Sequence, residues 1–390
     1  MTEEKNFGAD VEFLNQHVET IVLSNSEGGS LVTVPAWQGR TMTSSARGAG
    51  GTSYGWINYD HIASGKRDPV INLYGGEDRM WISPEGGQYS VFFDPGVPLD
   101  FANWRTPELI DTTPFDVVES NDKSISFRQN GSLMNYSRFT FDMQMDRQVN
   151  LLSRSDAEKV HGIDCSNLAV VAHESRNTLT NTGSEPWRPE TGLISIWMLC
   201  MNKPAENATL VVPFKKGDSE KHREKPGTPV NADYFGKLDG TRLQLNEEEG
   251  LAYFLGDGNM RSKLGVTFAR ACPVLGAWDA THSVLTVVDF NLPETAPAGY
   301  TNNLWEIQEE PYAGDVINAY NDGPNESGGK LGGFFELETI SPALALQPGD
   351  SFTHLHRTVR MEGDRKILSD VSHHIFGVDL DRIESHFTSK

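Results

Sequence analysis

The sequence predicts an all-β protein built on two large packed sheets, and three observations carry that reading. Apolar and polar residues alternate with period two along much of the chain, 37 glycines and 20 prolines supply frequent turns, and helical spacing is confined to a few short segments. The clearest strand runs from Arg138 to Asp146. There Phe139, Phe141, Met143 and Met145 alternate with Arg138, Thr140, Asp142, Gln144 and Asp146, so one face is core and the other wet.

Taken in order, the chain opens on a predicted helix over Ala9 to Gln16, followed by strands at Thr20 to Leu23, Leu31 to Val34, Tyr89 to Phe93 and Ser124 to Arg128. After the Arg138 strand, a weaker helix is expected from Ser155 to Val160. Strands follow at Leu168 to Ala172, Ile194 to Leu199, Ala208 to Val212, Leu251 to Leu255 and Val284 to Phe290. A last helix spans Asp379 to Phe387, where Leu380, Ile383 and Phe387 recur at helical spacing. No repeat of fixed period is present, and a single domain over residues 1–390 is the expectation.

Composition excludes several function classes. With 33 basic against 54 acidic residues the formal charge is −21, which argues against nucleic acid and anionic membrane surfaces as partners and favours neutral or cationic ligands. Cys165, Cys200 and Cys272 are odd in number and far apart, which fits neither a disulfide framework nor a zinc site; buried free thiols are expected. No apolar run approaches the roughly 18 residues of a membrane span. The start, Met1-Thr2-Glu3-Glu4-Lys5, has no apolar signal region. The expected location is cytoplasmic if that start is native, and periplasmic if a leader was trimmed.

The densest chemistry lies near the end of the chain. Phe334 to Ile340 and Phe352 to Val359 both alternate, which puts Glu336 and Glu338 on one face of the first strand and His354, His356 and Thr358 on one face of the second. Pro348-Gly349 between them predicts an antiparallel pair. Two carboxylates and two imidazoles would then converge on one sheet surface, suited to general acid/base work or polyol binding. A two-His-one-carboxylate metal site is the competing reading, but strand histidines commonly bond within the sheet and no third ligand stands nearby, so neither metal nor cofactor is expected.

Other segments carry weaker signals. Tyr74-Gly75-Gly76-Glu77-Asp78-Arg79-Met80-Trp81 sets three charges among glycines and aromatics, where an arginine offers forked donors to a hydroxylated ligand or pairs with a carboxylate in a tight turn. Gly48 to Gly55 lacks the ending of a phosphate loop and reads as structural. Asp257-Gly258-Asn259 reads as a hairpin turn. Lys215 to Lys225 reads as a solvated basic loop, and Asn321 to Gly333 as a flexible loop bordering the Glu strand.

Four segments together resemble the aldose 1-epimerase, or galactose mutarotase-like, superfamily, and more closely an uncharacterised bacterial branch of it. Leu337-Glu338-Thr339 followed by Leu346-Gln347-Pro348-Gly349-Asp350 is similar to the family's closing pattern. Gly75 to Arg79 resembles the glycine-led segment that ends in a substrate-contacting arginine, Thr178 to Gly183 the strand and turn before the family's acid histidine, and Gln38-Gly39-Arg40 an early strand end. The resemblance implies a supersandwich of large antiparallel sheets with a sugar site, Glu338 as general base and Arg79 as a substrate contact. One departure matters: after Gly183 the chain continues Ser184-Glu185-Pro186-Trp187-Arg188-Pro189 without a histidine. The acid is then either missing or supplied from elsewhere, with His354, His356, His173 and Tyr312 as candidates.

The resulting expectation is a carbohydrate-active protein, epimerase-like, or else a sugar-binding protein without turnover. Glu338 and His354 are the expected catalytic pair. Arg79, Glu336, His356, Asp315, Asn318 and Trp305 are the expected contacts to a mono- or oligosaccharide. Trp81, Trp104, Trp187 and Trp197 are further candidate platforms for sugar C–H faces. The protein is expected to be a monomer or small homo-oligomer.

Overall fold

The structure, a computed structural model, describes residues 5–217, 229–324 and 328–387. Its named strands form sheets of ten, six and three strands, with antiparallel ladders throughout. The all-β expectation holds, and large antiparallel sheets form the scaffold. No helix among the described residues is long and apolar enough to cross a membrane.

The ten-stranded sheet centres on the long strands Thr140–Leu152, Leu168–Asn181 and Ser351–Gly363, with Val284–Phe290 next in line. Its inner face packs on the six-stranded sheet, in which Ser262–Thr267, Asp315–Asn321, Phe335–Ile340, Ser195–Leu199 and Arg79–Ser83 follow in order and the short Met201–Asn202 also pairs with Phe335–Ile340. The predicted alternation of the Arg138 strand is borne out: Phe141, Met143 and Met145 are fully buried in the core between the sheets. The strand starts later than expected because Arg138 takes a left-handed turn conformation, φ 68°. Each fully buried side chain of this size contributes about 1.5–3 kcal/mol.

The predicted first and third helices are Phe7–Asn15 and Leu380–Glu384, and the weaker one is Arg154–His161, where Ser153 and Asp156 form a reciprocal capping box. Three further α-helices were not anticipated, Tyr59–Ser64, Glu108–Asp111 and the longest of them, Arg365–Phe376. In this last one the buried Leu368, Val371, Ser372 and Phe376 keep helical spacing and pack on the outer face of the ten-stranded sheet with Trp278, Val287 and Met361. Asp364 caps its start, and Gly377 (φ 77°) ends it.

Several local expectations need correction. Tyr89 to Phe93 is irregular; Val91, Phe92 and Phe93 are buried consecutively rather than alternately, and Phe92 stacks on Trp104. Asp257-Gly258-Asn259 does not close a hairpin, because the flanking strands Leu251–Leu255 and Ser262–Thr267 belong to different sheets. Most consequentially, Phe335–Ile340 does not pair with Ser351–Gly363. The former pairs with Asp315–Asn321 and Ser195–Leu199, the latter with Leu168–Asn181 and Val284–Phe290, so Pro348-Gly349 turns the chain from one sheet to the other. Of the thiols, Cys165 and Cys200 are buried and Cys272 is half-buried. Lys215 and Lys216 are exposed; the remainder of that basic stretch from residue 218, and 325–327 of the Asn321 loop, lie outside the described residues.

Candidate functional site

Directly opposed residues in an antiparallel ladder share a face. Asn318 opposes Glu338 and Tyr320 opposes Glu336; on the far side of that strand Lys263 opposes Tyr320 and Gly265 opposes Asn318. Trp81 opposes Trp197 in the neighbouring ladder, and Arg79 stands two residues before Trp81 on the same face. This face of the six-stranded sheet is opposite to the one that carries Thr339 and packs on the ten-stranded sheet. It gathers Arg79, Glu336, Glu338, Lys263, Trp81 and Trp197.

The contacts are continuous. Arg79 donates from one terminal nitrogen to Glu336 Oε1 at 3.1 Å, and its guanidinium lies 4.4 Å over the Trp81 ring. Trp81 meets Trp197 edge to face at 5.8 Å. Trp197 Nε1 donates to Glu338 Oε2 at 2.9 Å, and Lys263 Nζ donates to the same oxygen at 3.2 Å. Lys263 also lies over the rings of Trp197 and Tyr234, at 5.1 and 5.6 Å. Asp315 accepts from Asn231 Nδ2 at 2.8 Å and from the Tyr234 hydroxyl, with the Asn318 amide beside it.

Glycines make room for this arrangement. A Cβ at Gly265 would stand 2.2 Å from Asp315 Oδ2, so only glycine lets that carboxylate reach across the strand. Gly75 and Gly76 have φ 97° and 113°, and a Cβ at Gly75 would meet the Trp56 carbonyl oxygen at 2.2 Å; the turn that delivers Arg79 needs both. Below the turn, Arg147 and Asp78 form a fully buried ion pair at 2.8 Å, and Arg147 also donates to the carbonyls of Gly39 and Asp78. Asp78 is thereby pinned on the core side, leaving Arg79 on the opposite face.

Electrostatics perturb Glu336. Glu336 is pushed up to about 7: burial is the main cause, the Glu338 charge adds to it, and Arg79 opposes it. Burial also raises Asp315 and Glu85. Glu338 is only 1% exposed, Arg79 3% and Glu336 5%, so these groups interact in a largely dehydrated setting. Three buried donors on this face, Arg79 Nε, Trp81 Nε1 and Asn318 Nδ2, have no hydrogen-bond partner among the described residues.

Five of the expected residues therefore come together: Arg79, Glu336, Glu338, Asp315 and Asn318. Trp305 stands at the margin, bonded to Glu85 and stacked on Trp104. His354 and His356 do not join them. Both histidines touch Thr339 Oγ1, at 2.9 and 3.0 Å, and Thr339 points to the face opposite Glu338. They lie between the two sheets, where burial lowers them to about 3 and about 4 and keeps them neutral. His356 additionally contacts Cys200 Sγ at 3.1 Å.

The convergence of imidazoles with carboxylates was thus an error of sheet assignment, and a metal set joining His354, His356 and Glu338 does not form. Among the described residues no cluster of three or more His, Cys, Asp or Glu is arranged to hold a metal ion. His173 is buried between Glu77 and Asp78, and Tyr312 gives its hydroxyl to the Pro189 carbonyl. Trp187 is a core residue against Phe141.

Sequence reasoning missed Lys263, Tyr234, Asn231 and Glu85. Lys263 had a legible signal: in Ser262-Lys263-Leu264-Gly265-Val266 the apolar residues alternate inward, leaving the lysine on the other face. Tyr234 lies in an irregular segment with no periodicity to expose its role.

A match over residues 5–387 to the profile of a family of unknown function, DUF6786, covers nearly all of the sequence. The chain belongs to DUF6786. No curated protein matches the sequence.

Solved structures show which fold DUF6786 adopts here. The Slr1438 protein of Synechocystis sp. PCC 6803 superposes with TM-score 0.50 at 13% identity, covering 89% of this chain and 96% of that one. A "putative aldose 1-epimerase" of Escherichia coli K12 gives TM-score 0.51 at 11% identity, over 89% of this chain and 100% of that one. A galactose mutarotase-like protein of Lactobacillus casei ATCC 334 gives 0.49 at 12% identity, over 88% and 100%. At such identities the likeness to the first two is one of fold alone, and the expected architecture of large antiparallel sheets is present. This DUF6786 chain also has a cavity of about 250 Å³ beside Tyr54, Lys203 and Arg360. It reaches the core-facing side of the Glu338 strand through Phe335 and is separate from the carboxylate face.

Proposed function

We propose that this protein acts on a carbohydrate by general acid/base catalysis at the Arg79–Glu336–Glu338 face, as an epimerase of the mutarotase type. The observation that carries the reading is the pair of carboxylates on one strand face, of which Glu336 is raised by burial and by the Glu338 charge, flanked by Arg79, Lys263 and two tryptophans. A carboxyl held neutral beside a second carboxylate can donate a proton while its neighbour accepts one.

In this mechanism Glu338 removes the proton from the anomeric hydroxyl, and the ring C–O bond opens to give the open-chain aldehyde. Glu336, neutral up to about pH 7, supplies the proton taken up by the ring oxygen. Rotation about the C1–C2 bond and reversal of both transfers close the ring on the other face. Arg79 Nε and Trp81 Nε1, buried donors without partners, would meet sugar oxygens, while Asp315 and Asn318 would meet further hydroxyls. Glu336 takes over the acid role first expected of His354.

A second reading, a sugar-binding protein without turnover, draws on one observation: Glu338 Oε2 already accepts from both Trp197 and Lys263, so that oxygen is occupied in the unliganded site. Saturation-transfer NMR on a panel of hexoses separates the two. Catalysis predicts anomer exchange accelerated by the protein and abolished in Glu338→Gln with binding retained. Binding without acceleration supports the second reading, and absence of binding across the panel removes both.

A further inference from the structure

Aromatic contacts do not stop at the carboxylates. From Trp197 and Trp81 they continue to Phe92, whose ring centroid is 5.4 Å from Trp81. Phe92 lies parallel to Trp104 at 5.7 Å, tilted by 8°. Trp104 in turn carries two near-parallel neighbours, Trp305 at 6.0 Å and 17° and Phe101 at 6.3 Å and 9°. The line begins with rings buried beside Glu338 and ends at Phe101, which is 63% exposed. Ile307 at 65% and Leu304 at 40% flank Trp305 in the sequence and add to the exposed apolar surface.

An exposed aromatic ring backed by another is a preorganised surface: it loses little conformational freedom when a ligand settles on it. Leaving several apolar side chains in water where the chain had alternatives is a mark of a binding surface. We infer that Phe101 and Trp305 form an outer subsite that seats a second sugar unit, so that the ligand of this protein is an oligosaccharide or glycoside rather than a free hexose. The inference rests on the proposed sugar site and extends it outward.

The surroundings select this occupant. Glu85 is half-buried, bonds Trp305, and lies close enough to Glu338 and Lys263 to feel both charges, so it stands at the junction between the inner site and the platform. Its carboxylate suits hydroxyl groups shared between adjacent sugar units. Asp100, Glu306, Glu309 and Glu310 are exposed along the same segments and disfavour an anionic ligand. They equally disfavour a second copy of this chain, since the same acidic rim would face itself on a molecule of net charge −21. A neutral ring with an apolar C–H face and hydroxyl edges fits both the aromatic surface and the acidic border.

The test compares calorimetric affinities of hexoses with those of the di- and trisaccharides built from them, in the native chain and in Phe101→Ala. Phe101 is exposed, so that substitution is not expected to disturb folding, and thermal unfolding checks this. With two rings to stack on, the second unit is expected to make the best disaccharide bind about tenfold tighter than its parent hexose. In Phe101→Ala that ratio should fall to about threefold or less, and in Phe101→Trp it should be kept. A hexose that binds with no gain from a second unit, or a gain that survives Phe101→Ala, overturns the inference and leaves the inner site standing. Failure of every sugar to bind removes the inner site and this inference together. Sedimentation at high concentration covers the remaining occupant: a dimer that Phe101→Ala dissociates, with sugar ratios unchanged, makes the platform an interface and overturns the inference.

Discussion

Arg79 and Glu336 stand 257 positions apart in the chain and 3.1 Å apart in the fold, both almost wholly buried. Neither strand would bring the other to this place alone. The strand Ser195–Leu199 lies between them, and the glycine turn and the Arg147–Asp78 pair aim the guanidinium across it. The pair is the structural centre of the candidate site, and its chemistry governs the outcomes expected below.

Removing the guanidinium leaves a buried carboxylate without its partner. Breaking a buried pair in this way costs about 3–5 kcal/mol when the remaining group must stay charged. Arg79→Met should therefore lower the urea midpoint strongly at pH 8. At pH 5, where Glu336 is neutral, the loss should be markedly smaller. An equal loss at both values would mean that packing, not charge, holds the pair.

Glu336 makes stability depend on pH in a direction unusual for a carboxylate. Its folded value, about 7, lies above that of an unfolded glutamate near 4.3, so the folded state binds more protons between those limits. The contribution is fully present below about pH 4.3 and is lost as pH rises through about 7, an effect of roughly 4 kcal/mol. Glu336→Gln should gain relative stability above pH 7, seen as a melting temperature less reduced on the alkaline side. In the native protein, sugar turnover should decline above pH 7 as the acid deprotonates.

The buried histidines act in the opposite sense. Free histidine titrates near 6.5, whereas His354 and His356 are held at about 3 and about 4, so below pH 6.5 the unfolded state binds the extra protons. Their contribution is present above pH 6.5 and is lost as pH falls through the folded values. Melting temperature followed from pH 7 to pH 4 should fall less steeply in His356→Gln than in the native chain. The pH profile of turnover and the sugar affinity should be unchanged by this substitution, which separates a core role from the substrate contact first expected of His356.

Space at Gly265 is a requirement of the site. Gly265→Ala would press its methyl to 2.2 Å from Asp315 Oδ2, displacing that carboxylate from Asn231 and Tyr234. A loss of stability of about 1–3 kcal/mol is expected from overpacking, together with weaker sugar binding. Unchanged sugar affinity in a stably folded Gly265→Ala would remove Asp315 from the contacting residues.

Alternation along Phe335–Ile340 told the reader of the sequence that Glu336 and Glu338 share a face, and Gly75-Gly76 announced a special turn before Arg79. Those features are local: they depend on a strand's two-residue period and on the freedom of a residue without a side chain. Which sheet a strand joins is not local. Ser351–Gly363 alternates just as clearly, yet its histidines face Thr339 from the opposite sheet, because pairing partners are chosen by how whole apolar faces pack rather than by the turn between two strands. Thus the chain alone determined an all-β protein with a carboxylate-bearing strand and a candidate arginine. Only the assembled sheets decided that Lys263, Tyr234 and Trp197 complete that face, since each reaches it from a strand or segment whose neighbours are set by long-range packing.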